Sequence, residues 1–284
     1  MTRAAAATPA PAATRAVAAA VAERCRVLGY AALSGLQDYA ATFTLRTWLL
    51  GWFLRVLAQV AFFALIGRLV GSTETTRFLL VGNAIALATS CAMMAVPATT
   101  WERRAGTLPL LIAAPANPTL VFLGRSVHTV LDGLTSSLGS FLLVGLVFRL
   151  PLPWPRVLWV APLTLLVTVS AYLLATFLGA LVLRAMDSRN LVANIAIYVL
   201  LTLGGANLPP DAYPAPLRAA SSVLPLRHGL KAIRDLLAGA PAGPVVRGAA
   251  LEGMVGLGWL SLSALLFHRF AERGRRDGSI GFAS

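Results

Sequence analysis

Three ionisable residues interrupt stretches of this sequence that are otherwise apolar: Arg55, Asp132 and Glu252. A bare charge inside lipid costs ~2.5–3.5 kcal/mol on insertion scales, so each should face protein or water and find a partner. Counted at 1.5 Å per residue from the edges of the apolar blocks, Arg55 lies ~12 Å deep and Asp132 ~8 Å deep from the same side. Glu252 lies ~10 Å deep from the opposite side. Depth favours pairing Arg55 with Asp132. The alternative for Arg55 is to snorkel to the headgroups. Asp132, His128 and Glu252 are the only plausible acid–base groups for an enzyme acting on lipid within a membrane. Asn83 and Asn194 can bond between helices, with packing as their default role.

Other chemistry is missing. The single lysine, Lys231, follows Leu230, so no G-x-x-x-x-G-K-[ST] loop exists to cradle a phosphate. The three histidines, His128, His228 and His268, are far apart and show no metal-ligand spacing. Asp132-Gly133 resembles the start of some membrane phosphotransferase motifs, but the further acidic residues are absent. No G-x-S-x-G elbow is present. Cys25 and Cys91 do not suggest a disulfide or a metal site.

The elements that position these residues follow from hydropathy. The chain of 284 residues is 57% hydrophobic and 12% charged, against a quarter charged in ordinary globular domains, so lipid must be its solvent. Net charge is +13, but the bases are scattered between apolar blocks and form no stripe, which argues against nucleic acid. Six blocks can cross the ~30 Å hydrocarbon layer: 48–70, 78–99, 127–148, 157–183, 191–208 and 245–267. They are continuous rather than alternating, so the expected fold is an all-α membrane protein of six transmembrane helices. With the N-terminus inside, fourteen basic residues fall in inner segments and eight in outer ones. That bias places both termini in the cytoplasm. Residues 1–26 read as a disordered tail, 27–269 as the transmembrane domain and 270–284 as a C-terminal tail.

Two segments outside the spans carry structure of their own. Residues 27–46 suit a helix lying in the cytoplasmic interface, or else a soluble linker. Residues 209–244 open with four prolines and cannot start as a regular helix. After Pro225, Leu226, Leu230, Ile233, Leu236 and Leu237 share one helical face, and Gly239 supplies a stop. This predicts a short amphipathic helix at the outer surface. Gly67-x-x-x-Gly71 would let two helices approach closely.

The most informative stretch follows the second span. It reads Trp101-Glu102-Arg103-Arg104-Ala105-Gly106-Thr107-Leu108-Pro109-Leu110-Leu111-Ile112-Ala113-Ala114-Pro115. Gly106 and Thr107 permit a turn and a helix start. Leu108, Leu111 and Ile112 share a face, and Pro109 sits in a first turn, where it is tolerated. Pro115 and Pro118 end the helix. The result is a short, rigid helix at the cytoplasmic surface with an apolar face and a charged edge, suited to a groove on a partner. The bland alternative is a basic loop that only fixes topology.

The run Glu102-Arg103-Arg104-x-Gly106-Thr107-Leu108-x-x-Leu111, with Ala-x-Pro and then Leu123-Gly124-Arg125, resembles the membrane subunit of ABC-2 type transporters. A second resemblance lies in Leu224-Pro225-Leu226-Arg227, which leads into a short helix before the last span. Pro109 stands where many relatives carry Glu, so one charge is lost from the expected docking edge. The resemblance implies a coupling helix over 101–115, docked on a separate P-loop ATP-binding subunit present in two copies. That partner would use ATP and Mg, and this chain would bind no cofactor. A second copy of the chain, or a sister permease, would complete the pathway. Leu224, Pro225, Leu226 and Arg227 would belong to an outer gate segment, re-entrant or amphipathic. A multi-pass protein of the bacterial inner membrane, exporting a drug or antibiotic, is the implied setting.

Overall fold

The computed structural model describes residues 12–98, 118–150, 153–182 and 186–277. All regular structure among them is helical. The first helix, α1, spans Ala12–Thr42. It takes in residues 12–26, which composition alone assigns to a disordered tail; the alanines around Val17 and Val21 are strong helix formers. Thr44 then caps the next helix, exchanging bonds with Thr47. That helix, α2, runs Leu45–Leu69 and contains a π-helical stretch over Trp48–Phe53.

The second apolar helix, α3 (Thr73–Ala92), starts at Ser72, whose hydroxyl accepts from the Thr75 amide at 3.1 Å. Then come α4 (Pro118–Arg125) and α5 (His128–Val147). They are followed by α6 (Val160–Val182) and α7 (Arg189–Leu203). The chain closes with α8 (Ala215–Ser221), α9 (Arg227–Ala238) and α10 (Ala242–Asp277). The last helix passes through the boundary at 269 and well into the expected C-terminal tail.

Among the described residues, five helices are long and apolar enough to cross a membrane: Leu45–Leu69, Thr73–Ala98, Thr119–Val147, Arg156–Val182 and Ala242–Phe270. The fifth expected span, 191–208, falls short. Its helix, α7, has 15 residues and ends at Leu203, so it reaches only ~23 Å. The Gly204-Gly205 pair ends it, and Gly205 takes a positive φ of 87° that favours glycine.

The centre of the bundle is α3, most of whose residues are buried. It packs on α2, α5 and α6, and α6 in turn packs on α10. Small residues bring these helices together. A Cβ on Gly67 would lie 2.4 Å from the Thr76 Cα, so α2 and α3 touch backbone to backbone at this glycine. Gly71, its expected partner in the motif, instead makes the turn between them, at φ 76°. The core that results holds Val56, Val60, Leu80, Ile85 and Phe141, joined by Leu226, Leu230 and Ile233 of the α9 region.

Candidate functional site

Candidate residues collect at the two opposite ends of this bundle. The first end is organised by α9. Leu226, its N-cap, has no side-chain oxygen to receive the free amides of the first turn. Glu252, projecting from α10 and fully buried, supplies both. Its Oε1 accepts from the Leu226 amide at 2.9 Å and its Oε2 from the Gly229 amide at 2.9 Å. A carboxylate against a helix N-terminus is favoured by the aligned peptide dipoles and by charge-assisted bonding. Leu226 holds φ at 86°, a costly conformation for a non-glycine residue, and is itself wholly buried. Gly229 is required by space: a Cβ there would lie 2.1 Å from the Val167 Cγ2.

The far side of α9 is fixed by Arg234. Its guanidinium donates to the carbonyls of Gly205 (2.7 Å), Ala206 (3.0 Å) and Phe78 (3.1 Å). It also lies over the Phe78 ring at 3.5 Å. Burial pulls its pKa down to about 10, so it stays charged at neutral pH. Gly82 makes room for this clamp, since a Cβ there would meet the Ala206 oxygen at 2.0 Å. Beside it, Asn83 donates to Asn207 Oδ1 at 2.8 Å and to the Leu79 carbonyl at 2.9 Å. Arg77 donates to the Leu237 carbonyl. The amphipathic helix expected after Pro225 therefore exists in the expected register and stops at Gly239, in the left-handed conformation. Its apolar face is buried among α3, α6 and α10. Of the expected gate residues, Pro225 and Leu226 are buried and Leu224 is half-buried. Arg227 donates to the Arg218 carbonyl and to Ser221.

The second end is organised by α1, which crosses α4 at very short range. A Cβ on Gly35 would lie 2.0 Å from the Arg125 carbonyl oxygen, and one on Gly124 would lie 2.4 Å from the Ala31 Cβ. Arg125 adds a 2.8 Å ion pair to Asp38 and a 3.1 Å bond to Ser34. From the other side, Tyr172 of α6 donates to the Leu123 carbonyl. Just beyond, Asp132 Oδ1 accepts from Trp48 Nε1 at 2.7 Å and from the Tyr39 hydroxyl at 3.3 Å. Burial and the Asp132 charge push the Tyr39 hydroxyl pKa up. The Tyr39 ring stacks on His128 at 4.9 Å.

These positions correct one expectation. No ion pair joins Arg55 to Asp132 among the described residues. Asp132 is taken by donors from α1 and from the start of α2, while Arg55 is exposed and stacks on Trp52 at 4.6 Å. Similar depth from one side brings two groups near one level but leaves open which way each faces. His128 and Asp132 stand at one end and Glu252 at the other, so these three acid–base groups do not converge. Asn83 does bond across elements, whereas Asn194 is exposed on α7. The proposed coupling segment, with Trp101, Glu102, Arg103, Arg104, Gly106, Thr107, Leu108, Leu111 and Pro115, lies outside the described residues. The structure does show where the chain resumes after it, in α4.

Sequence inspection missed Arg234 as a clamp, and Tyr39 and Trp48 as partners of Asp132. The signal available for Arg234 was its place at the edge of the polar face of α9. The model of the ABC-2 type transporter family matches residues 37–238, more than two thirds of the chain. No curated protein matches it.

Proposed function

The chain belongs to the ABC-2 type transporter family, and from that premise we propose that it is the permease of an ATP-driven exporter for a hydrophobic or amphipathic compound, a drug or antibiotic in the favoured case. As a member of that family it is a multi-pass membrane protein and a transport permease rather than a catalytic domain. The proposal adds a separate P-loop ATP-binding subunit in two copies, which uses ATP and Mg. A second copy of the chain or a sister permease completes the pathway. Six spans in the bacterial inner membrane, with both termini in the cytoplasm, complete the arrangement, α7 being the short one.

The mechanism proposed is alternating access. Closure of the two ATP-binding subunits moves the 101–115 segments together, with Glu102, Arg103 and Arg104 at the docking groove and Leu108 and Leu111 seating the helix. Tilting of the spans then opens the pathway outward, past the segment from Leu224 to Arg227. The observation that carries this reading is the family match across 37–238, which includes both motif segments. The bracing of α4 on α1 and α10, and its bond from Tyr172 of α6, support it, because α4 is the first described element after the docking segment and leads into α5.

The test is co-purification of the full chain with a P-loop ATPase from its own cells, followed by efflux assays. Glu102→Ala and Leu108→Asp should leave the chain in the membrane but remove ATP-dependent efflux. Retained efflux in both variants, or failure of any ATPase to co-purify, overturns the assignment.

A further inference from the structure

Between α1 and the start of α5 lies an open cleft of about 420 Å³. Drug-sized ligands occupy pockets of ~300–1,000 Å³. Its walls are apolar and aromatic: Leu36, Tyr39, Phe43, Trp48 and Leu131 line it, together with His128. One carboxylate, Asp132, stands in this wall, half-buried. Both hydrogen bonds it receives, from Trp48 and Tyr39, go to Oδ1. Among the described residues, no hydrogen bond or ion pair reaches Oδ2. None of the described residues lining the cleft is Lys or Arg, although basic residues outnumber acidic ones 24 to 11 in the chain.

A negative charge held among aromatic rings, with one oxygen free and no Lys or Arg beside it among the described residues, has the chemistry of an ammonium site. Ring faces attract a cation, and the carboxylate adds a charge-assisted bond. The apolar remainder of the wall suits a hydrocarbon body. We propose that this cleft binds a lipophilic amine, its ammonium on Asp132 Oδ2 and its apolar part along Phe43 and Leu131. A phosphatidylethanolamine headgroup is a poorer occupant. It would bring its own phosphate beside the carboxylate, where the described lining residues offer no Lys or Arg to meet it. Binding is a property of this chain alone, so the site stands whether or not the transport reading holds.

The experiment uses the full chain in phosphatidylglycerol nanodiscs and a photoactivatable dodecylamine. The matching dodecanol serves as the uncharged control, and labelled peptides are mapped by mass spectrometry. The amine should label peptides carrying residues 36–45 and 131–135, with the alcohol about tenfold weaker at equal concentration. Asp132→Asn keeps an acceptor for Trp48 and Tyr39 and should lose labelling by a similar factor, while Asp132→Glu should retain it. Thr135→Lys leaves the carboxylate in place but sets an ammonium one helical turn away, and should also block the amine. Equal labelling by amine and alcohol, or full labelling of both Asp132→Asn and Thr135→Lys, overturns the proposal. Loss of amine labelling when phosphatidylethanolamine replaces phosphatidylglycerol would assign the site to the headgroup instead, and so would also overturn it.

Discussion

Glu252 and Leu226 are 26 residues apart, yet the carboxylate of the first caps the amide of the second at 2.9 Å inside the protein. The long terminal helix α10 thereby fixes the start of α9. Replacing Glu252 with Ala leaves two buried amides without an acceptor and should cost about 3 kcal/mol or more. Glu252→Gln should be milder, because one amide keeps its acceptor. Thermal unfolding in detergent would rank the three proteins, and equal melting temperatures would show that the cap contributes nothing.

The same junction depends on Gly229. Adding one methyl group drives a carbon against Val167. Gly229→Ala should therefore destabilise by about 1–3 kcal/mol through overpacking. Val167→Ala in the same chain should recover part of that loss, since it removes the atom that would clash. A double variant no better than the single one would argue against steric pressure at this contact.

Arg234 reaches three carbonyls and one ring. A lysine ammonium is a point charge and cannot span that fork. Arg234→Lys should lower stability by about 1–3 kcal/mol. Hydrogen exchange offers the sharper readout: amides from Gly204 to Asn207 should exchange faster, while those in the middle of α6 should not change.

Tyr39 gives a pH signature. Its hydroxyl pKa is raised in the folded protein, by burial first and the Asp132 charge second. The unfolded value is about 10. The folded state thus holds the proton more tightly, and the associated stability is present in full below pH ~10. It declines as pH rises further toward the folded value. Tyr39→Phe should melt below the wild type at pH 7, and the gap should narrow between pH 10 and 11. A gap that does not change with pH would remove the titrating hydroxyl from the account.

Periodicity exposes a helix that has one wet and one dry face. It read α9 in register, because leucines at helical spacing and a closing glycine leave little choice. Five of the spans were legible for a similar reason, as unbroken apolar length. The short α7 was overextended because Ala206 and Leu208 prolong the hydropathy after Gly204-Gly205 has ended the helix. The partner of Glu252 was hidden because it is backbone, and no side-chain pattern marks a helix start capped from elsewhere in the chain. The Arg55–Asp132 pairing failed on direction rather than depth. The π-helical stretch over Trp48–Phe53 begins at the residue that does reach Asp132 and ends just before the arginine that does not. Helix over 12–26 was masked by composition, since runs of alanine with Thr and Pro fit a tail as well as a helix.

The crossing of α1 and α4 has a mechanical meaning. Side chains between helices act as springs: a rotamer can turn, and one helix can slide a little without its neighbour. At Gly35 and Gly124 there is no such spring, because a single added carbon would already collide with Arg125 on one side and Ala31 on the other. The two helices meet there almost as bare rods. A push on α4 has no slack to take up before α1 must move with it.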